Sequence, residues 1–223
     1  MAELAGLGQM SPVVTAFTLA LDTPERMAEQ ATANRTRPLF KLNLGGDGDL
    51  ERVRAVRQAV PTSRLIVDAN ESWNAAQFGE FMPALIDLRV EIIEQPLQAD
   101  ADDTLARFEH RIPICADESC RTLADLDQLI GKYEAINIKL DKAGGLTEAL
   151  ALAVEAKRRG LRIMVSGMIG TSLGIAPALL VAQQADIVDL DGPLHLMSDR
   201  GASLRYDGST IYPPDPDLWG GPG

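Results

Sequence analysis

Eight short apolar runs, rich in β-branched residues and too brief for helices, recur along the chain with helix-like segments between them. They are Val13–Leu21, Pro38–Leu44, Arg64–Val67, Val90–Ile93, Ile112–Cys115, Ala135–Ile138, Leu161–Val165 and Ile187–Leu190. Continuous apolar blocks of this length read as strands buried on both faces, the habit of parallel sheets. Helical patterns lie between them at 24–34, 49–60, 74–87, 103–109, 122–131, 145–159 and 171–183. Thr23 before Pro24 and Glu25 marks a helix start, and Gly160 after Lys157-Arg158-Arg159 marks a stop. Strict alternation implies parallel strands joined by right-handed crossovers. Eight strands with seven helices predict an α/β fold, a (β/α)7β TIM-like barrel. The rival, an open doubly wound sheet, is weakened because no G-x-G-x-x-G follows the first strand.

A chain of 223 residues, 46% of them hydrophobic, suits one domain with a sizeable core. With aromatics at 4%, that core must be aliphatic. The net charge of −11 argues against nucleic acid and anionic membranes as partners. It leaves anionic substrates open, because a bound divalent cation inverts the local field. No apolar stretch approaches the roughly 20 residues of a membrane span, no signal-peptide pattern opens the chain, and Cys115 and Cys120 offer no disulfide framework. A cytoplasmic protein is the resulting expectation.

In barrels, chemistry collects where strands end and loops begin. The third strand runs into Asp68, Ala69 and Asn70; the fourth into Glu94, Gln95 and Pro96; the fifth into Asp117, Glu118 and Ser119. Three successive units thus each end in a carboxylate, about one β-α repeat apart. Three carboxylates without His or Cys suit a hard octahedral cation, Mg²⁺. A lone acid after a strand would ordinarily be a helix cap or a solvated loop residue; three in consecutive units are hard to assign that way. The sixth strand leads directly into Lys139, a candidate general base or acid. Lys142 reads as an ordinary surface lysine. The eighth ends in Asp189 and Asp191, two residues apart and expected on one face of an extended segment, with no cationic side chain evident nearby. They suit a substrate ammonium, or serve as turn formers before Gly192-Pro193. His110 and His195 look isolated, and Gly45-Gly46-Asp47-Gly48 reads as a turn.

Val67-Asp-Ala-Asn70, Ile93-Glu-Gln-Pro96, Ala116-Asp-Glu-Ser119 and Ile138-Lys-Leu-Asp-Lys-Ala-Gly-Gly145 together resemble the muconate-lactonizing subgroup of the enolase superfamily. The Asp189-x-Asp191 pair is similar to the one by which dipeptide epimerases hold the α-ammonium of L-Ala-D/L-Glu. The resemblance, running from about Ser11 to Asp199, implies an Mg²⁺-dependent racemase or epimerase that abstracts the α-proton of a small carboxylate substrate, a dipeptide. Asp68, Glu94 and Asp117 would hold the metal. Asp189, Asp191 and Asn70 would contact substrate, and Lys41 and Lys139 would belong to the catalytic set.

Two departures qualify this expectation. The family's Lys-x-Lys at the end of the second strand reads Lys41-Leu42-Asn43, so the second base position is an amide that cannot exchange a proton near neutral pH. A one-base reaction run by Lys139, lost activity, or a one-base lyase such as a dehydratase or o-succinylbenzoate synthase are the alternatives, as is a non-catalytic metal-binding barrel. The family's N-terminal capping domain is also expected to be missing. Residues 1–10 resemble the end of its last helix, 11–196 the barrel, and 197–223 a hairpin around Asp207-Gly208 with a tail. An uncovered barrel rim makes a homo-oligomer one way to bury apolar surface.

Overall fold

The runs that read as buried strands form one parallel sheet whose neighbours follow chain order. The computed structural model describes residues 9–219, so the expected remnant of a capping helix at 1–10 lies almost wholly outside the described residues. In chain order the elements are β1 (Val13–Val14), β2 (Phe17–Leu19), α1 (Pro24–Ala33), β3 (Leu39–Asn43), α2 (Asp49–Ala59), β4 (Arg64–Asp68), α3 (Ala75–Asp87) and β5 (Val90–Glu94). There follow β6 (Ile114–Ala116), α4 (Leu126–Leu129), β7 (Ala135–Lys139), α5 (Leu140–Ala143), α6 (Leu146–Arg158) and β8 (Arg162–Ser166). The last are α7 (Ser172–Ile175), α8 (Ala178–Ala182), β9 (Ile187–Asp189), β10 (Tyr206–Asp207) and β11 (Thr210–Ile211), with 3-10 turns at Asp102–Arg107, Leu123–Asp125 and Gly192–His195. β2 to β9 make the eight-stranded sheet of a (β/α) barrel, as expected. None of the described helices is long and apolar enough to cross a membrane.

The differences from expectation have local causes. The first run is two strands, because Val13–Val14 pairs antiparallel with β11 while the chain turns inward at Thr15 and Ala16 to meet Val188. The 103–109 segment is a 3-10 turn rather than an α-helix, and 122–131 is a 3-10 turn followed by one α-turn. The segment 171–183 divides into α7 and α8 at Pro177, which has no N–H to continue a helix.

Contacts group the described chain into two compact units. One holds Phe17–Cys120 and Ala124–Ile136. Here α1 begins with Thr23 Oγ1 accepting from the Arg26 N–H and Pro24 in the first turn, and α3 begins with a capping box between Asn74 and Gln77. α3 buries Phe78, Phe81, Met82 and Leu85, residues three, four and seven apart on one face. On β3, Phe40 and Leu42 are wholly buried on one side and alternate with Lys41 and Asn43 on the other. β4 meets β5 through a β-bulge: Leu65 pairs Val90, yet Ile66 pairs Ile92, so Glu91 is the extra residue. Without that slip in register Asp68 would lie opposite Ile93; with it Asp68 lies opposite Glu94, and both carboxylates share a face.

The other unit holds the described parts of 1–16 together with 121–123 and of 137–223. Its β8 and β9 pair with Ser166 beside Asp189, and Thr15 Oγ1 accepts the Leu190 N–H at 2.8 Å. The hairpin expected near Asp207-Gly208 is present: Asp207 pairs Thr210 across Gly208, whose φ of 55° suits glycine. β11 continues onto β1, making a small three-stranded antiparallel sheet.

Candidate active site

The registers Asn43–Asp68, Asp68–Glu94 and Glu94–Cys115 set four neighbouring strands of the first unit, β3 to β6, level at one end. Asp117 follows two residues after Cys115, on the same face. Asp68, Glu94 and Asp117 are all buried, and one carboxylate oxygen from each lies within 4.8 Å of the others. The structure thus brings together the three acids read from the strand ends.

Lys41 enters the same cluster. Its Nζ is 3.0 Å from Asp68 Oδ2 and 2.9 Å from Glu94 Oε2, and its side chain is 5% exposed. Three carboxylates and one ammonium leave a net charge of about −2, which buried groups cannot carry uncompensated. A divalent cation matches that charge, and an all-oxygen donor set is the one Mg²⁺ takes. The residues therefore fit the metal. Glu118, half-buried beside the cluster, reports the same excess of negative charge. Burial first, then Asp117, and also Asp68 and Glu71, push its carboxyl up to about 7, and its Oε2 is buried without a hydrogen-bond partner.

The acids are held by their loops. The Asn70 N–H donates to Asp68 Oδ1 at 3.0 Å, and its side-chain amide donates to the Asp68 carbonyl at 3.0 Å, so Asn70 clamps Asp68. Asn70 and Glu71 reach this through positive φ of 48° and 61°. Gln95, wholly buried, accepts the N–H groups of Asp117 at 2.8 Å and Ser119 at 3.1 Å through Oε1. Its amide donates to Ser119 Oγ, Tyr133 Oη and the Leu97 carbonyl. Ser119 and Tyr133 in turn donate to Asp102, which is paired with Lys132 at 2.5 Å. This chain of buried polar groups fixes the backbone of the third acid, and of its members Gln95 and Ser119 lie in motifs singled out from the sequence, whereas Asp102, Lys132 and Tyr133 do not. The Gly-rich turn after β3 is tied by Asp49, which accepts from the N–H groups of Gly45 and Gly46 and from Trp73 Nε1 at 2.7 Å.

In metal-free protein the sign of the Glu118 effect is set by its raised carboxyl. The folded state holds this proton between the ordinary glutamate range and about pH 7, where the unfolded chain has lost it. Stability is thus fully present below that range and falls as pH rises through it. With allowance for solvent screening of a half-exposed group, Glu118→Gln removes about 1–2 kcal/mol of this slope. Urea unfolding in EDTA at pH 4.5 and pH 7.5 measures it; an unchanged slope in the variant refutes the assignment.

In the second unit, Lys139 closes β7 and caps α5, half-buried. Lys142 donates to the Asn137 carbonyl at 3.0 Å, and Ser166 Oγ donates to Asn137 Oδ1 at 2.9 Å. Asp189 and Asp191 are 6% and 5% exposed. They do not continue one extended segment: β9 ends at Asp189, and Asp191, with φ −90° and ψ 2°, starts the next 3-10 turn. Nor does His195 stand isolated, since its Nε2 is 2.9 Å from Asp191 Oδ2. The four-residue spacing across the turn after Gly192-Pro193 was the available signal.

Residues 25–207 match the family described as enolase C-terminal domain-like, and the chain belongs to it. Among curated relatives it is similar to an N-acetyl-D-glutamate racemase of Pseudoalteromonas sp, 46% identical over 93% of this chain and 66% of that protein. It is similar also to an L-Ala-D/L-Glu epimerase of Escherichia coli (strain K12), 45% identical over 95% and 67%. Among solved structures, an enolase family member from Agrobacterium tumefaciens with homology to dipeptide epimerases, holding sodium and L-Ala-L-Glu, superposes with a TM-score of 0.96. It is 50% identical and covers 98% of this chain and 67% of its own. A dipeptide epimerase from Cytophaga hutchinsonii complexed with Mg and D-Ala-L-Val superposes at 0.89, 28% identical over 95% and 61%. The chain spans about two thirds of the length of the two curated relatives.

Proposed function

We propose that this protein abstracts the α-proton of a carboxylate substrate, a dipeptide of the L-Ala-D/L-Glu kind, with Lys139 as its one acid/base group. The observation that carries the reading is the buried acid cluster with Asn43, rather than a lysine, in register beside Asp68. Asp68, Glu94 and Asp117 would hold Mg²⁺, which when bound supplies electrostatic stabilisation of the charge that builds on the substrate carboxylate as the proton leaves. Lys41 balances part of the cluster's charge, and Asn70 keeps Asp68 in place. Lys139 closes β7, and the C-terminal end of a parallel barrel strand is the place for a proton-transferring group. Asp189 and Asp191 are buried acids suited to a substrate ammonium. Asn43 can hydrogen-bond to substrate but cannot move its proton.

A single base takes and returns the proton on one face, so it exchanges the proton without inverting the centre. Incubation of L-Ala-L-Glu and L-Ala-D-Glu with Mg²⁺ in D₂O is expected to deuterate the α-carbon of one epimer with retention. Lys139→Ala is expected to slow this about 10²–10⁴-fold. Exchange that survives in the variant refutes the reading, as does an absence of exchange at saturating Mg²⁺. Alkene formation from other carboxylates would point instead to a one-base elimination.

A further inference from the structure

His195 has no place in the chemistry above, yet it is bonded to one of the two acids that chemistry assigns to the substrate ammonium. Asp191 is almost fully buried, and His195 Nε2 stands 2.9 Å from its Oδ2, within hydrogen-bond distance. The turn carrying both residues is fixed. The Leu194 N–H donates to the Asp191 carbonyl at 2.8 Å, and Gly192 packs so closely that a Cβ there would lie 2.8 Å from the Met168 carbonyl. The residue before Asp191 is pinned as well, its carbonyl accepting from Tyr206 Oη at 2.7 Å. With the backbone held on both sides, the side-chain torsions of Asp191 are what remains to be set, and the imidazole holds its Oδ2.

We infer that His195 is a positioning residue for Asp191, holding the carboxylate that the reading above assigns to the substrate α-ammonium. The inference rests on the reading of Asp191 given above. A carboxylate already oriented offers its charge to an incoming ammonium without first paying to reorder, whereas a ligand lacking the ammonium gains nothing from that order.

The test is equilibrium binding by calorimetry at saturating Mg²⁺. It compares L-Ala-L-Glu with N-propionyl-L-glutamate, the same molecule with its ammonium replaced by hydrogen. In the unaltered protein the dipeptide is expected to bind at least about tenfold more tightly. His195→Ala is expected to raise the dipeptide Kd about tenfold and that of the propionyl analogue less than twofold. His195→Gln, whose amide can donate in place of the imidazole, is expected to recover most of the loss. Equal weakening of both ligands in His195→Ala would mean a merely structural role and overturns the inference, as does an unchanged dipeptide Kd. Asp191→Asn separates the two levels. If it leaves the dipeptide Kd unchanged, the reading of Asp191 itself fails. If it weakens the dipeptide selectively while His195→Ala does not, only the role of His195 fails.

Discussion

Glu94→Gln is expected to abolish the stabilisation of this protein by Mg²⁺. At a metal concentration about a hundredfold above Kd, binding to the native state alone contributes about 2.7 kcal/mol, or roughly 5–10 °C in Tm for a chain of this size. Glu94 sits between the strand that ends in Asp68 and the one that leads to Asp117, wholly buried, and shares Lys41 with Asp68. The amide keeps its shape but removes a full charge from a cluster whose net −2 is the attraction for the cation. Less than about 0.5 kcal/mol of metal-dependent stabilisation should remain. In metal-free protein the change is smaller, because loss of the Glu94–Lys41 pair is offset by relief of repulsion among the acids. Proton exchange, if it is metal-assisted, falls by at least about 10³-fold. Thermal melts across a Mg²⁺ titration decide the matter: a variant that still gains several degrees places the ion elsewhere.

Asn43→Lys is expected to turn exchange with retention into epimerisation. The side chain at 43 alternates with Leu42 onto the face that bears Lys41, and its strand position lies opposite Asp68. With Mg²⁺ present, two lysines and three acids leave the cluster about one unit positive. That disfavours the new ammonium and brings its amine into a range useful for proton transfer. A second base on the opposite side of the α-carbon should raise the rate of inversion by about 10²–10⁴-fold. Chiral chromatography of products from L-Ala-L-Glu measures it. Deuterium incorporation without the second epimer would show that position 43 does not reach the α-carbon.

The sequence carried the strands and the three acids because both signals are local: an apolar block states its burial, and an acid just after it states its end of the strand. The contribution of Lys41 to the acid cluster was legible only through resemblance, since a lysine within an apolar strand gives no hint of which acids it meets. The Asp102–Lys132–Tyr133–Ser119 network was hidden because its members come from three loops whose approach depends on the folded sheet. The 3-10 form of Asp102–Arg107 was equally out of reach, since periodicity over so few residues does not separate 3-10 from α. His195 looked isolated in the sequence, whereas its partner Asp191 lay one turn back.

The single unpaired residue in the β4–β5 ladder acts as a spacer of parity. Because side chains on a strand have only two choices of side, the slip lets Val90 side with Leu65 while Glu94 still sides with Asp68. Deletion of Glu91 would therefore close the ladder and leave Glu94 opposite Asp68, whereas one residue inserted between Ile92 and Glu94 would carry Glu94 to the other side of the sheet. Substitutions at Glu91, half-buried and paired with Arg64 at 2.8 Å, should likewise be widely tolerated. What must be kept is the count from Ile92 to Glu94, while the bulge itself is open to drift.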